Sequence, residues 1–179
     1  MTYRIRDATP SDAVTLALLH VRAFQETHGG GPSVAVRQAQ WEAILGRADA
    51  QDFTFLVEDA DGRLVAFARG APHDGGVPGF GGELNKIYVL RRHQGHGLGR
   101  LLVRRVAERF LSLGVRSMLL FGDARSRSNG FYEHLHAERL CSAGGEFHGG
   151  YGWRDLATVT VDCGTVGSDA QRDPPTPAA

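Results

Sequence analysis

Gln94-Gly95-His96-Gly97-Leu98-Gly99 decides the reading of this chain, because the six residues leave an apolar strand and open directly into an amphipathic helix. The strand upstream reads Leu84, Asn85, Lys86, Ile87, Tyr88, Val89, Leu90. Downstream, Leu98, Leu101, Leu102, Val106, Phe110 and Leu113 recur at three- and four-residue steps, the spacing of one helix face. A glycine turn in that context is built for phosphate: its free N–H groups lie at the positive end of a helix dipole, and the missing side chains let an anion approach.

The type of phosphate ligand follows by comparing spacings. A nucleoside-triphosphate loop needs GxxxxGK followed by Ser or Thr, and the turn contains no lysine. The dinucleotide pattern GxGxxG places its third glycine at Arg100, and no acidic residue stands about twenty positions on to hold a ribose. What remains is QxxGxG, filled by Gln94, Gly97 and Gly99. That pattern resembles the acyl-coenzyme A signature of the GNAT superfamily of N-acetyltransferases.

Composition limits the alternatives. The chain has 179 residues, 42% apolar and 22% charged, which suits one globular domain with a single core. Its formal net charge is zero, against the excess of Lys and Arg on which nucleic-acid and acidic-membrane binding depend. No apolar run has the length of a signal peptide or a membrane span, and the expected location is cytoplasmic. The two cysteines, Cys141 and Cys163, stand far apart without a CxxC and read as reduced thiols in late strands. His93 with His96 and His134 with His136 lack further ligands at metal-site spacing, so no metal is expected. Glycine, at 24 residues, is about twice its usual share and clusters in what read as loops. Residues 163–179, with three prolines and almost nothing apolar, read as a disordered tail behind a domain spanning 1–162.

The periodicities give an order of elements. A strand at 3–6 precedes Thr9, Pro10, Ser11 and Asp12, whose cap, first-turn proline and acidic third position predict a helix start running to about Thr27. A second helix is expected from Val36 to Leu45. Strands at 53–58 and 64–70 flank the turn Ala60-Asp61-Gly62 and form an antiparallel pair. The strand at 84–90, the helix to Leu113 and a strand at 115–121 make a right-handed parallel crossover. A helix from about Ser126 to Leu135 and strands at 137–143 and 151–161 complete the chain. This α/β order, strand, two helices, three strands, helix, strand, helix, two strands around a mixed sheet, resembles the whole GNAT fold.

Two further stretches carry the resemblance. Ser128-Asn129-Gly130-Phe131-Tyr132-Glu133-His134-Leu135-His136-Ala137 is similar to the family's second signature, a Phe-Tyr-Glu helix ending at glycine, with His136 in the glycine's place. Gly149-Gly150-Tyr151-Gly152-Trp153-Arg154-Asp155-Leu156 looks like the closing strand of some small-molecule branches.

The resemblance implies acetyl-coenzyme A as co-substrate and transfer of its acetyl group to a primary amine by direct attack in a ternary complex. It implies that the pantetheine arm lies along the backbone of Ile87, Tyr88 and Val89, and that the turn of Gln94, Gly95, His96, Gly97, Leu98, Gly99 and Arg100 takes the pyrophosphate, with Asn129 as a further contact. Tyr132 matches the family's general acid, a phenol able to donate to the departing thiolate. An amine with a pKa of about 10.4 costs roughly 4–5 kcal/mol to deprotonate at neutral pH, so a base is expected, and Glu83 at the start of the thioester-bearing strand is the candidate. Acceptor-side walls are expected from the first two helices and last strands, with Phe24, Trp41, Glu146, Phe147, His148 and Trp153 in that region. Alternative outcomes are O-acetylation, acetylation of a protein terminus or lysine, or an inactive acyl-coenzyme A sensor. Relatives often pair through late strands, which makes a homodimer possible.

Overall fold

The computed structural model describes residues 2–47, 49–126 and 128–161. The expected tail and Cys163 lie outside these residues. Seven strands form one mixed sheet: β1 (Arg4–Asp7), β2 (Phe53–Glu58), β3 (Leu64–Pro72), β4 (Gly82–Val89), β5 (Met118–Phe121), β6 (Glu138–Cys141) and β7 (Phe147–Trp153). Their spatial order is β1-β2-β3-β4-β5-β7-β6, antiparallel throughout except for β4 and β5. The helices are α1 (Ala13–His28), α2 (Val34–Leu45), α3 (Leu98–Ser112), α4 (Asn129–His134) and α5 (Leu156–Val161).

Each face of the sheet carries its own core. On one side Leu16, Ala17 and Leu19 of α1 and Trp41 of α2 pack on Leu56 and Phe67. On the other, Leu102, Val103, Val106 and Phe110 of α3 cover Phe55, Val57, Ala66, Ala68 and Met118, with Tyr151, Trp153 and Leu156 closing the end. Alternation along β2 and β3 feeds both layers, which is why these strands are buried on both faces.

Among the element boundaries that differ from the sequence expectation, four have a clear local reason. Pro10–Asp12 forms a 3-10 turn, and α1 begins only at Ala13. Asp12 accepts the Thr9 N–H at 2.8 Å while Arg6 Nη1 and Nη2 grip the same carboxylate at 2.8 and 2.7 Å, so the proline turn is pinned to β1. Val115 belongs to the end of α3, not to β5: its N–H donates to Phe110 O and that of left-handed Gly114 to Leu111 O, a Schellman closure. In α4 the helix begins at Asn129, because Ser126 and Arg125 are folded into a turn on Asp123. The last expected strand, 151–161, is divided: β7 runs from Phe147 to Trp153, and the β-branched run after it is the helix α5. Asp155 Oδ1 accepts the Ala157 N–H at 3.1 Å, and buried Leu156 holds the new helix down, outweighing the strand preference of Val159 and Val161.

The sheet opens where it matters. In β3–β4, Arg69 faces Lys86 but Gly70 faces Leu84, so Asn85 is an extra residue bulged out of the ladder. Beside it, β4 and β5 pair only at Gly82 with Met118 and Glu83 with Leu119. Beyond that rung the strands part, and β4 continues to Val89 with a free edge in the middle of the sheet.

Candidate functional site

The parting of β4 and β5 forms a cleft of about 640 Å³. Leu84 to Val89 make one wall, Leu120 to Asp123 the facing wall, and the turn before α3 with Phe131 and Tyr132 of α4 close the end. Volume and mixed lining are those of a small-molecule site.

The glycine turn is arranged as the sequence predicts. Gly95 and Gly97 have φ of 77° and 79°, the left-handed region, and Gly97 caps α3. Leu101 is the first residue of the helix whose N–H reaches a helical acceptor, Gly97 O at 3.0 Å. The N–H groups of Leu98, Gly99 and Arg100 therefore lack intrahelical acceptors and stand at the positive end of the dipole. Gly99 is required for another reason: a Cβ there would meet the Phe131 ring at 3.0 Å, so its absence lets α4 close over the turn.

Side chains in this region do different work from their backbones. Gln94 Nε2 donates to Val89 O at 3.0 Å and braces the turn against the end of β4. His96 Nδ1 contacts Gln94 O at 3.0 Å, and Leu98 is buried in the core. Arg100 is exposed at the mouth. Asn129 Nδ2 donates to Ala124 O at 2.8 Å and Asp123 O at 3.2 Å, which holds the loop after β5, leaving its carbonyl oxygen as the group that can serve a ligand.

Tyr132 lines the cleft, wedged among the rings of Phe131, Tyr151 and Trp153. Burial pushes its phenol up to about 12, and the hydroxyl has no hydrogen-bond partner among the described residues. It is thus a protonated donor with a free hand. Its ring is set by Tyr151, 5.4 Å away, whose hydroxyl donates to Glu133 Oε1 at 2.8 Å. Arg139 and Tyr151 hold the Glu133 carboxyl below the usual carboxylate range. His136 adopts φ 58°, the left-handed position usual for glycine. Its N–H donates to Glu133 O and that of Ala137 to Tyr132 O at 3.1 Å, the same closure Gly114 gives α3.

Glu83 stands at the last rung joining β4 to β5. Asn85 Nδ2 donates to its Oε1 at 2.7 Å, while Asn85 Oδ1 accepts from Arg69 Nη1 and Lys86 Nζ, both at 2.7 Å. The bulge thus brings Glu83, Asn85 and Lys86 to one side of β4. Arg69 is anchored in turn by Asp52, with Nε to Oδ1 at 2.8 Å. From the loop after β3, His73 Nε2 accepts the Val77 N–H at 3.0 Å, which leaves the proton of the neutral ring on Nδ1, 3.6 Å from Glu83 Oε2. Sequence reasoning found Glu83 and missed its supports. The opposed charges of Asp52, just before β2, and Arg69, in the otherwise apolar β3, were a signal for part of the network, but nothing in the spacing pointed to His73 or to the bulge.

The expected acceptor walls divide. Trp41 and Trp153 are core, 1% and 3% exposed, their indole N–H groups bonded to His20 Nδ1 and Leu135 O. Phe147 packs on Tyr151, whereas Phe24 contacts Tyr88 and His28 beside the cleft.

Comparison with known proteins matches residues 16–137 to the Acetyltransferase (GNAT) family. The chain belongs to the GNAT family. Among curated proteins it is 27% identical over 164 residues to YuaI of Bacillus subtilis, described as an uncharacterized N-acetyltransferase, covering 87% of this chain and 95% of that one. Its fold is that of the paia N-acetyltransferase from Thermoplasma acidophilum, solved with coenzyme A, at a TM-score of 0.66 and 14% identity over 85% of this chain and 98% of that one. The yncA protein of Salmonella typhimurium, solved with acetyl-CoA, superposes at 0.64 with 18% identity over 87% and 95%.

Proposed function

We propose that this GNAT protein transfers an acetyl group from acetyl-coenzyme A to a primary amine, both substrates being bound together in the cleft between β4 and β5. The residues present fit such a co-substrate. A diphosphate suits the unpaired N–H groups after Gly97, and an extended amide-containing arm suits the free edge of Ile87, Tyr88 and Val89. Two solved proteins of the same fold hold coenzyme A or acetyl-CoA. The bound thioester supplies an activated acyl group.

The chain's own groups supply the proton handling. Glu83, steadied by Asn85 and faced by His73, accepts the proton of the incoming ammonium at Oε2, directly or through a water. Tyr132 delivers its phenolic proton as the thiolate departs, since burial keeps that proton in place across the physiological range. The observation that carries the reading is the pairing of a protonated, unpartnered phenol in the cleft with a carboxylate held at the rung where the cleft begins.

The test is calorimetry with acetyl-coenzyme A followed by thiol release against a library of primary amines. Binding together with amine-dependent thiol release is expected. Binding with no release on any amine, alcohol or peptide overturns catalysis and leaves a sensor.

A further inference from the structure

Lys86 is a cation in an unusual position. It lines the cleft, is half-buried, and its ammonium makes one hydrogen bond, to the neutral amide oxygen of Asn85, which it shares with Arg69. An ammonium has three donors, and buried charges are ordinarily paired with an opposite charge. The carboxylates in reach are committed elsewhere: Asp52 is gripped by Arg69, and Glu83 takes Asn85 while facing His73. Burial and the positive charges of Arg69 and Arg37 press the Lys86 pKa down, and the opposing pull of Glu83 and Asp52 does not restore it.

Arg37 of α2 repeats the pattern. Its guanidinium lies over the Phe24 ring at 5.5 Å and donates from Nη1 to Gln40 at 3.0 Å. Its Nε is buried without a hydrogen-bond partner. Lys86 and Arg37 thus both have donors unspent, and the positive charge of Arg37 is felt at Lys86, on the side of β4 where the carboxylate read as the base also stands. An acceptor that is a plain amine would bring a third positive charge to this place. One that carries a negative group of its own would satisfy it.

We infer that the acceptor is an amine bearing an anionic group, a carboxylate in the simplest case, whose negative end is taken by Lys86 with support from Arg37 while its amine faces Glu83. This rests on the acetyl-transfer reading and narrows its substrate to the amino-acid type.

The experiment compares ω-amino acids from glycine to 6-aminohexanoate, and the common L-α-amino acids, each with its own amide, at saturating acetyl-coenzyme A. Charge-assisted recognition predicts that kcat/KM for the best acid exceeds that of its amide by about tenfold or more. In Lys86→Met, checked for folding by thermal melting, that ratio falls toward one, and Arg37→Gln lowers it partway. Amides or uncharged amines acetylated as well as the acids in the unaltered protein overturn the proposal and leave acetyl transfer standing. Should no acceptor turn over, the acetyl-transfer reading falls by itself, and calorimetry of the N-acetylated acids and amides with the protein–coenzyme A complex decides the anion site: tighter binding of the acids supports it, equal binding overturns it.

Discussion

His73 Nδ1 stands 3.6 Å from Glu83 Oε2, in a ring whose other nitrogen already accepts the Val77 N–H. The Glu83 carboxylate is therefore enclosed by two neutral groups, the Asn85 amide at 2.7 Å and this imidazole, and is not neutralised by a direct salt bridge to a permanent cation among the described residues. Such surroundings orient a base without disarming it.

If Glu83 is the base, Glu83→Gln lowers kcat/KM by about 10²-fold or more near neutrality. The deficit shrinks as pH rises toward the acceptor's own pKa, where the amine deprotonates unaided, and acetyl-coenzyme A affinity stays the same. A pH–rate profile with calorimetry at one pH checks this; an unaltered profile removes Glu83 from the chemistry.

Tyr132→Phe keeps the ring packed among Phe131, Tyr151 and Trp153 and deletes only the phenolic oxygen. The expected result is a loss of about 10²-fold in kcat with little change in KM for either substrate. A drop in melting temperature with unchanged kcat would instead assign the hydroxyl to structure.

Gly97 and Gly130 make a matched pair. Gly97→Ala forces a side chain onto a backbone at φ 79° and costs about 1 kcal/mol or more, with weaker acetyl-coenzyme A binding because the N–H groups after it shift. Gly130→Ala, inside α4 with open space around its Cβ, raises stability by about 0.5–1 kcal/mol. Denaturant titrations of the two variants report opposite signs.

His20, 1% exposed and accepting the Trp41 indole N–H at 3.2 Å, is driven down to about 3 by burial. An unfolded histidine titrates near 6.5, so between about pH 6.5 and 3 the unfolded chain binds the extra proton and stability falls as pH falls. The slope is on the order of 1 kcal/mol per pH unit. Urea midpoints measured at pH 7 and 5 show it, and His20→Gln flattens it.

His136→Val tests the left-handed end of α4. A β-branched residue at φ 58° is worse placed than histidine, and the variant loses about 1–2 kcal/mol, whereas His136→Gly retains stability. Equal melting temperatures for the two variants would show that the closure is not needed.

Local chemistry made most of the fold legible. The glycine turn announced α3 because it leads straight into an amphipathic helix, a short 3-10 turn at Arg91–His93 separating it from β4, and the crossover after it had one handedness available. The helix at Leu156 was hidden because Val159 and Val161 favour strand when read alone, and the single cap at Asp155 outweighs them. At the site, Tyr132 and the turn lie in contiguous motifs. The supports of Glu83 come from Asp52, Arg69, His73 and Asn85, which only the register of β3 against β4 assembles.

The unzipped stretch of β4 has a bearing on solution behaviour. Unsatisfied strand backbone is ordinarily a hazard at a protein's rim, where a stranger's strand can latch on. Here it lies in the interior of the sheet, flanked by Leu120 to Asp123 on one side and by the start of α3 on the other, away from the rim. The protein can keep an adhesive surface permanently ready without clumping through it.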